Sequence, residues 1–264
     1  MTPDFWLERW QSGDIGFHRA DVHDFLVKHW PRLGLDASSP VFVPLCGKSR
    51  DMVWLAGQGH RVVGVELSPL AVDDFFREQG IEADTTTEGA FVVRTGGPFT
   101  IWCGDLFDLP VEAVSDVAAV YDRAALVALP SSLQARYAKK LMEVLPPRAP
   151  MLLVSLHYPQ GEISGPPFST PLSTVAALFG ETHAIRLAET REGLDQSQNL
   201  KERGVSSLDE AAYILKRKDT LSPTPRRFTA ATSVMNTRPT PARARAPSST
   251  GSAPTTPRRG SASH

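Results

Sequence analysis

Three acids and one arginine stand where this chain could hold a nucleoside. Glu66, Asp105 and the pair Asp122-Arg123 each come after an apolar run. Each is a group that hydrogen-bonds a sugar, a base or a carboxylate. Glu66 belongs to the clearest unit. Val41-Phe42-Val43 is apolar, Pro44-Leu45-Cys46-Gly47-Lys48-Ser49 is a tight polar loop, and residues 51–56 carry helical patterning closed by Gly57 and Gly59. Residues 61–65 form a second apolar run that ends in Glu66. Strand, glycine-containing turn, helix, strand and acid make a βαβ unit whose turn approaches a ligand and whose acid accepts from ribose hydroxyls. Glu66 lies 19 residues after Gly47, close to the roughly 20 that this role asks for.

Two phosphate-binding readings fail on missing glycines. Gly47-Lys48-Ser49 looks like the end of a Walker A loop, but that loop needs a glycine five positions before Gly47, where Phe42 stands. No G-x-G-x-x-G fingerprint is present either, so a pyrophosphate has no glycine-lined turn to sit against. A ligand with a ribose and no phosphate fits, and S-adenosylmethionine is such a ligand. The spacing alone also fits an ordinary buried βαβ unit with Glu66 as a surface acid.

The elements that must position these groups follow from periodicity. Residues 4–11 read as a short helix with Phe5, Trp6 and Trp10 on its faces, ended by Gly13. Asp21 is placed to cap a second helix carrying Val22, Phe25, Leu26 and Trp30, stopped by Pro31. Ser68 and Pro69 open another helix, whose Leu70, Ala71, Phe75 and Phe76 are expected to face the sheet. Strands are expected over 85–94 and 99–102, with a turn at Gly96-Gly97-Pro98, and over 115–121, 151–156, 184–191 and 211–217, the last two pairing antiparallel. Helices are expected over 130–145 and 172–179. This alternation predicts an α/β doubly wound domain over 1–219, with residues 1–36 as an N-terminal helical extension.

In such a sheet, ligands sit beyond the carboxyl ends of the strands. The backbone at Leu45-Cys46-Gly47 is then placed for a methionine part, Glu66 for a ribose, Asp105-Leu106 for an adenine amino group, and Asp122-Arg123 closes the set. Singly, Asp105 also reads as a turn residue, Arg123 as a helix-start surface charge, and Trp6 with Trp10 as core packing. Their joint placement carries the reading.

Composition narrows the class further. Two cysteines make no disulfide framework, and no run of 18 apolar residues spans a membrane. The start Met1-Thr2-Pro3-Asp4 lacks a basic region followed by an apolar one, so no signal peptide and a cytoplasmic location are expected. Residues 220–264 hold seven arginines and no acid, leaving 21 basic and 29 acidic residues in 1–219, a net charge of −8. An acidic body argues against nonspecific nucleic-acid binding. Pro, Ser, Thr and Arg dominate 220–264 with few large apolar residues, and a disordered tail is expected there. Such a tail suits either a passive extension or recruitment of a cofactor-binding protein to an anionic partner.

Several stretches together resemble the thiopurine S-methyltransferase family in its bacterial form. They are Phe5-Trp6 with Trp10, Gly16-Phe17-His18, Val43-Pro44-Leu45-Cys46-Gly47-Lys48-Ser49, the run from Gly57-Gln58-Gly59-His60 through Val65-Glu66, Tyr121-Asp122-Arg123-Ala124-Ala125-Leu126, and Ser164-Gly165-Pro166-Pro167-Phe168. The resemblance runs in register from Phe5 to Lys218 and covers the family's catalytic domain. It implies a Rossmann-like class I S-adenosylmethionine-dependent methyltransferase with a mainly parallel seven-stranded sheet flanked by helices and an N-terminal helical lid. It implies methyl transfer to the sulfur of aromatic and heterocyclic thiols such as 6-mercaptopurine. No metal is expected, and since no heptad or long exposed apolar face argues for a dimer, a monomer is expected. Selenium and tellurium species and tellurite resistance are associated with bacterial relatives. By the same resemblance, cofactor contacts fall on Trp10, Leu45, Glu66 and Arg123, with Trp6, Asp105 and Leu106 beside them. Phe17 falls beside the substrate. Arg123, the candidate catalytic residue, is placed either to favour a thiolate, directly or through a water, or to pair with the methionine carboxylate, two roles that conflict in geometry. Two departures stand out. His157 takes a position where bacterial relatives often have an acid, and 220–264 has no counterpart.

Overall fold

The computed structural model describes residues 2–218. The expected tail over 220–264 therefore lies outside the described residues. Nine strands form one sheet: β1 (Pro40–Pro44), β2 (Arg61–Glu66), β3 (Asp84–Glu88), β4 (Phe91–Gly96), β5 (Phe99–Cys103), β6 (Ala119–Arg123), β7 (Met151–His157), β8 (His183–Glu192) and β9 (Asp209–Arg217). Their order is β3-β4-β5-β2-β1-β6-β7-β9-β8. The five central strands, β5 to β7, run parallel. Both flanks are antiparallel, β3-β4-β5 on one side and β7-β9-β8 on the other. The expected seven-stranded, mainly parallel sheet thus becomes nine strands with four parallel and four antiparallel pairings.

The central strands are buried on both faces, which is why they read as continuous apolar runs. In β1, Val41 and Val43 join the core on one face while Phe42 joins the other. β6 divides likewise, with Ala119 and Tyr121 opposite Val120, and so does β7, with Leu152 and Val154 opposite Met151 and Leu153. Helices α2 (Asp24–His29), α3 (Arg50–Gly57) and α4 (Pro69–Gln79) send Phe25, Leu26, Met52, Leu55, Phe75 and Phe76 into the first core. Helices α5 (Ser131–Val144) and α6 (Leu172–Phe179) send Tyr137, Leu141, Val175 and Phe179 into the second. The first helix, α1, is Pro3–Ser12, and the last short helix, α7, is Gln198–Glu202.

Four local expectations are corrected. The run 85–94 is a hairpin, broken at Gly89 where φ is +60°, with Glu88 paired to Phe91. All five residues of β3 are exposed, so this edge strand carries no apolar signal. The strand expected over 115–121 starts at Ala119, because Val111–Val114 forms a helical turn and Asp116 turns outward to pair with Arg61. Asp122 and Arg123 are consequently the last residues of β6 rather than residues past its end. The cap of α2 is His23, whose Nδ1 accepts the Phe25 N–H at 3.2 Å, and not Asp21. On α4, Leu70 is exposed and Val72 is buried, since 71, 72, 75 and 76 share one helical face that 70 does not.

The chain leaves β1 toward β2 on one side and later reaches β6 on the other. β1 and β6 therefore flank the point where the strand order reverses, the usual place for a ligand in an open α/β sheet.

Candidate active site

A cavity of about 730 Å³ opens there, at the carboxyl ends of the central strands. Trp6, Trp10, Phe17, Leu45, Glu66, Asp105, Leu106 and Arg123 all line it. The parallel register brings the strand-end residues Leu45, Glu66, Asp105 and Arg123 to one end of the sheet, and α1 with the loop after it adds Trp6, Trp10 and Phe17. His157 is exposed at the end of β7 and does not line the cavity, so the substituted position bears on the surface and not on this site.

The β1 loop is held in a demanding conformation. Leu45 takes φ +46° and Gly47 φ +51°. Ala124, just after β6, takes φ +61° and also lines the cavity. Left-handed non-glycine residues cost free energy and gather at ligand sites, where surrounding structure enforces them. Glu66 supplies part of that enforcement. Its Oε2 accepts the Gly47 N–H and its Oε1 the Ser68 N–H, both at 2.8 Å. Burial pushes the Glu66 carboxyl up, partly offset by the N–H groups of Ser68, Gly47 and Leu67. Each oxygen still has acceptor capacity toward the cavity. Over this loop, Trp10 packs so closely that a Cβ on Gly47 would come 3.1 Å from its ring. Phe17 makes edge contacts with both Trp6 and Trp10, at centroid distances of 5.7 and 5.5 Å. The three rings form one aromatic wall.

Arg123 does not stand alone. Its Nε donates to Asp51 Oδ2 at 2.6 Å, and Nη2 reaches Ser49 Oγ at 3.4 Å. Asp51 is fully buried, and its carboxylate also accepts the Tyr121 hydroxyl at 3.0 Å and the His23 N–H at 2.8 Å. Among the described residues none accepts from Arg123 Nη1, and 12% of the side chain remains exposed, on the cavity side. His23 extends the network. Because its Nδ1 accepts a backbone N–H, Nε2 carries the proton and donates to Glu210 Oε1 at 2.8 Å. Glu210 also accepts from Arg191, whose Nη1 donates to Asp24. Asp51, His23 and Glu210 were not singled out by the sequence. Asp51 reads locally as an ordinary first-turn helix acid, and nothing nearby marks a partner 72 residues away.

Burial alone would raise the Glu210 carboxyl, but the hydrogen bonds from His23 and Arg191 outweigh it and hold it at about 2, against 4.5 ordinarily. A depressed carboxyl stabilises the fold above its unfolded value and loses that contribution as pH falls toward the folded one. Glu210→Gln is therefore expected to be less stable than wild type near pH 6. The gap should shrink steadily from pH 5 toward pH 2, as read by urea denaturation over a pH series. A gap independent of pH contradicts the assignment.

Thiolate chemistry by the protein itself is disfavoured. Burial, aided by the nearby Glu66 charge, pushes Cys46 well up and Cys103 to about 11. Among the described residues no group of three or more His, Cys, Asp or Glu is arranged to hold a metal, and no helix is long and apolar enough to cross a membrane.

The sheet order and its carboxyl-end cavity define the class I methyltransferase fold. Solved structures agree on that fold. A Burkholderia thailandensis 1,6-didemethyltoxoflavin-N1-methyltransferase, with 1,6-didemethyltoxoflavin and S-adenosylhomocysteine bound, matches with a TM-score of 0.53 at 12% identity, over 82% of this chain and 86% of that one. A S-adenosylmethionine-dependent methyltransferase from Anabaena variabilis matches with a TM-score of 0.54 at 14% identity, over 82% and 95%. Sequence comparison reaches further. The model of the family Thiopurine S-methyltransferase matches residues 1–218. Thiopurine S-methyltransferases of Methylococcus capsulatus and Xanthomonas axonopodis pv. citri are 48% and 49% identical, over 82% and 83% of this chain and 98% and 100% of theirs. The chain belongs to the thiopurine S-methyltransferase family, whose members are S-adenosylmethionine-dependent enzymes.

Proposed function

We propose that this protein transfers the methyl group of S-adenosylmethionine to the sulfur of aromatic and heterocyclic thiols. The observation that supports this most strongly is the convergence of Glu66, Arg123 and the Trp6-Trp10-Phe17 wall on one cavity. The residues suit the cofactor. Glu66 keeps acceptor capacity for ribose hydroxyls, Arg123 lines the cavity with its Nη1 uncommitted among the described residues and so suits a carboxylate, and Asp105 with Leu106 suits an adenine edge. Leu45 presents backbone to the methionine part, and Trp6 and Trp10 complete the cofactor side. When bound, S-adenosylmethionine supplies an electrophilic methyl on a sulfonium cation.

The chain's own contribution is alignment and exclusion of water. Trp6, Trp10 and Phe17 close the cavity and favour a nearby cation by roughly 1 kcal/mol through their ring faces. Phe17 stands beside the acceptor. Arg123 contributes less to a thiolate than a lone cation would, because Asp51 already neutralises much of its charge. Its charge serves better in binding and orienting the methionine carboxylate.

Selenium and tellurium species fit the same aromatic wall, and the proposal extends to them. It extends also to a cytoplasmic monomer, with cofactor and small acceptor as its ligands and no nucleic-acid or membrane partner for the body. Residues 1–219 form the catalytic unit in this proposal, and 220–264 is dispensable for chemistry. The test is a panel of 6-mercaptopurine, thiophenols, selenite and tellurite with labelled S-adenosylmethionine, run on the full chain and on a chain ending at Lys218. Label is expected on the thiols, undiminished by truncation. Cofactor binding without turnover, or activity abolished by truncation, would instead favour recruitment to an anionic partner.

A further inference from the structure

We propose that His18 is the proton acceptor for acceptor thiols that reach the cavity un-ionised, an inference that rests on the methyltransferase reading above. The evidence is its place and its unused ring. His18 is the one described histidine that lines the cavity, directly after Phe17 in the aromatic wall. The other core histidines have structural work for their rings. His23 bonds Phe25 and Glu210, His29 bonds Glu189, His60 bonds Trp30 and Ser39, and His183 meets Thr182. Among the described residues none hydrogen-bonds a ring nitrogen of His18, although its backbone N–H is fixed by Ile15. An imidazole half inside a cavity, anchored by its backbone and free at its ring, is placed to meet a ligand.

Its surroundings keep it a base. Lys48 and Arg50 face it from the loop and helix after β1, and Arg123 from β6, against Glu78 alone from α4. Lys48 is itself tied to Glu78 at 2.6 Å, so that acid is largely spoken for. Burial first, then these cations, lower the imidazole below 6.5. Near neutral pH it is therefore unprotonated. Arg123, held by Asp51, and the buried Glu66, tied to two backbone N–H groups, are poorer proton acceptors in the same cavity.

The S–H bond of the acceptor breaks, its electron pair stays on sulfur, and the proton moves to a ring nitrogen of His18. That pair then forms the new S–CH₃ bond, while the bond from the methyl to the sulfonium breaks and leaves its pair on the departing thioether. The imidazolium returns its proton to solvent. Thiols that ionise near neutral pH need none of this, which makes the role dependent on the substrate.

The experiment compares wild type with His18→Gln on two acceptors: a nitro-substituted thiophenol, ionised at neutral pH, and an alkanethiol, which is not. At pH 7 the variant is expected to keep the thiophenol rate within about 3-fold but to lose about 100-fold in kcat/KM on the alkanethiol, the usual scale of general-base help. Its alkanethiol rate should also climb about tenfold per pH unit until the thiol itself ionises. Wild type should plateau above the imidazole pKa, which NMR titration of the free protein measures independently below 6.5. The retained thiophenol rate shows that the variant folds. Equal losses on both acceptors, no loss on either, or an NMR value that disagrees with the acid limb would overturn the proposal. Wild type inactive on both acceptors would overturn it together with the methyltransferase reading, an outcome distinct from the other three.

Discussion

Asp51→Ala is expected to destabilise the fold by about 3–5 kcal/mol, the range for removing one partner of a buried ion pair. Asp51 is fully buried and carries three donors: the guanidinium of Arg123, the Tyr121 hydroxyl and the His23 N–H. Alanine leaves the Tyr121 hydroxyl, the His23 N–H and the Arg123 Nε without an acceptor, and the guanidinium, only 12% exposed, without its paired carboxylate. The damage reaches the site because Arg123, Tyr121 and the β1 loop share one wall of the cavity. Cofactor affinity should therefore fall along with stability. Asp51→Asn keeps the shape and one acceptor oxygen but loses the charge, and its loss should lie between wild type and alanine. Urea denaturation of the three proteins checks this. A change of less than 1 kcal/mol for Asp51→Ala would show that Arg123 is held by something else.

The groups at strand ends were legible because a parallel sheet brings the carboxyl ends of its strands to one side, whatever their separation in sequence. Apolar runs with an acid or arginine at the end therefore located Glu66, Asp105 and Arg123 around the cavity. The loop at Leu45 and Gly47 was legible by what it lacked. Asp51 was not, because a first-turn acid after a Ser49 cap looks the same whether it faces water or an arginine. The α2 cap is hidden for a related reason, since histidine is a rare cap and its role needs the Glu210 partner 187 residues away, while Asp21 carries the local pattern of a cap. β3 does not separate from β4 in the sequence, because three exposed threonines at a sheet edge leave no apolar period.

Glu66 carries the central claim, that the cavity holds the nucleoside of S-adenosylmethionine by its ribose. The structure sharpens what a mutation there means. Glu66 both faces the cavity and ties down the N–H groups of Gly47 and Ser68. Truncation to alanine would leave two buried donors unmet, each costing about 1–3 kcal/mol, so lost binding alone would not distinguish a ribose contact from a collapsed loop. Glu66→Gln retains the length and one acceptor oxygen, and pairing it with a second ligand separates the two causes. The decisive measurement is calorimetric titration of wild type and Glu66→Gln with S-adenosylhomocysteine and with its 2′,3′-dideoxy analogue. A hydrogen bond to a charged acceptor is worth about 1.5–3 kcal/mol, so the substitution should weaken S-adenosylhomocysteine binding by about 10- to 100-fold. The dideoxy analogue, with no hydroxyl to offer, should bind both proteins alike and about as weakly as the variant binds S-adenosylhomocysteine. Equal losses for both ligands, or no loss for either, would contradict the assignment of Glu66 to the ribose.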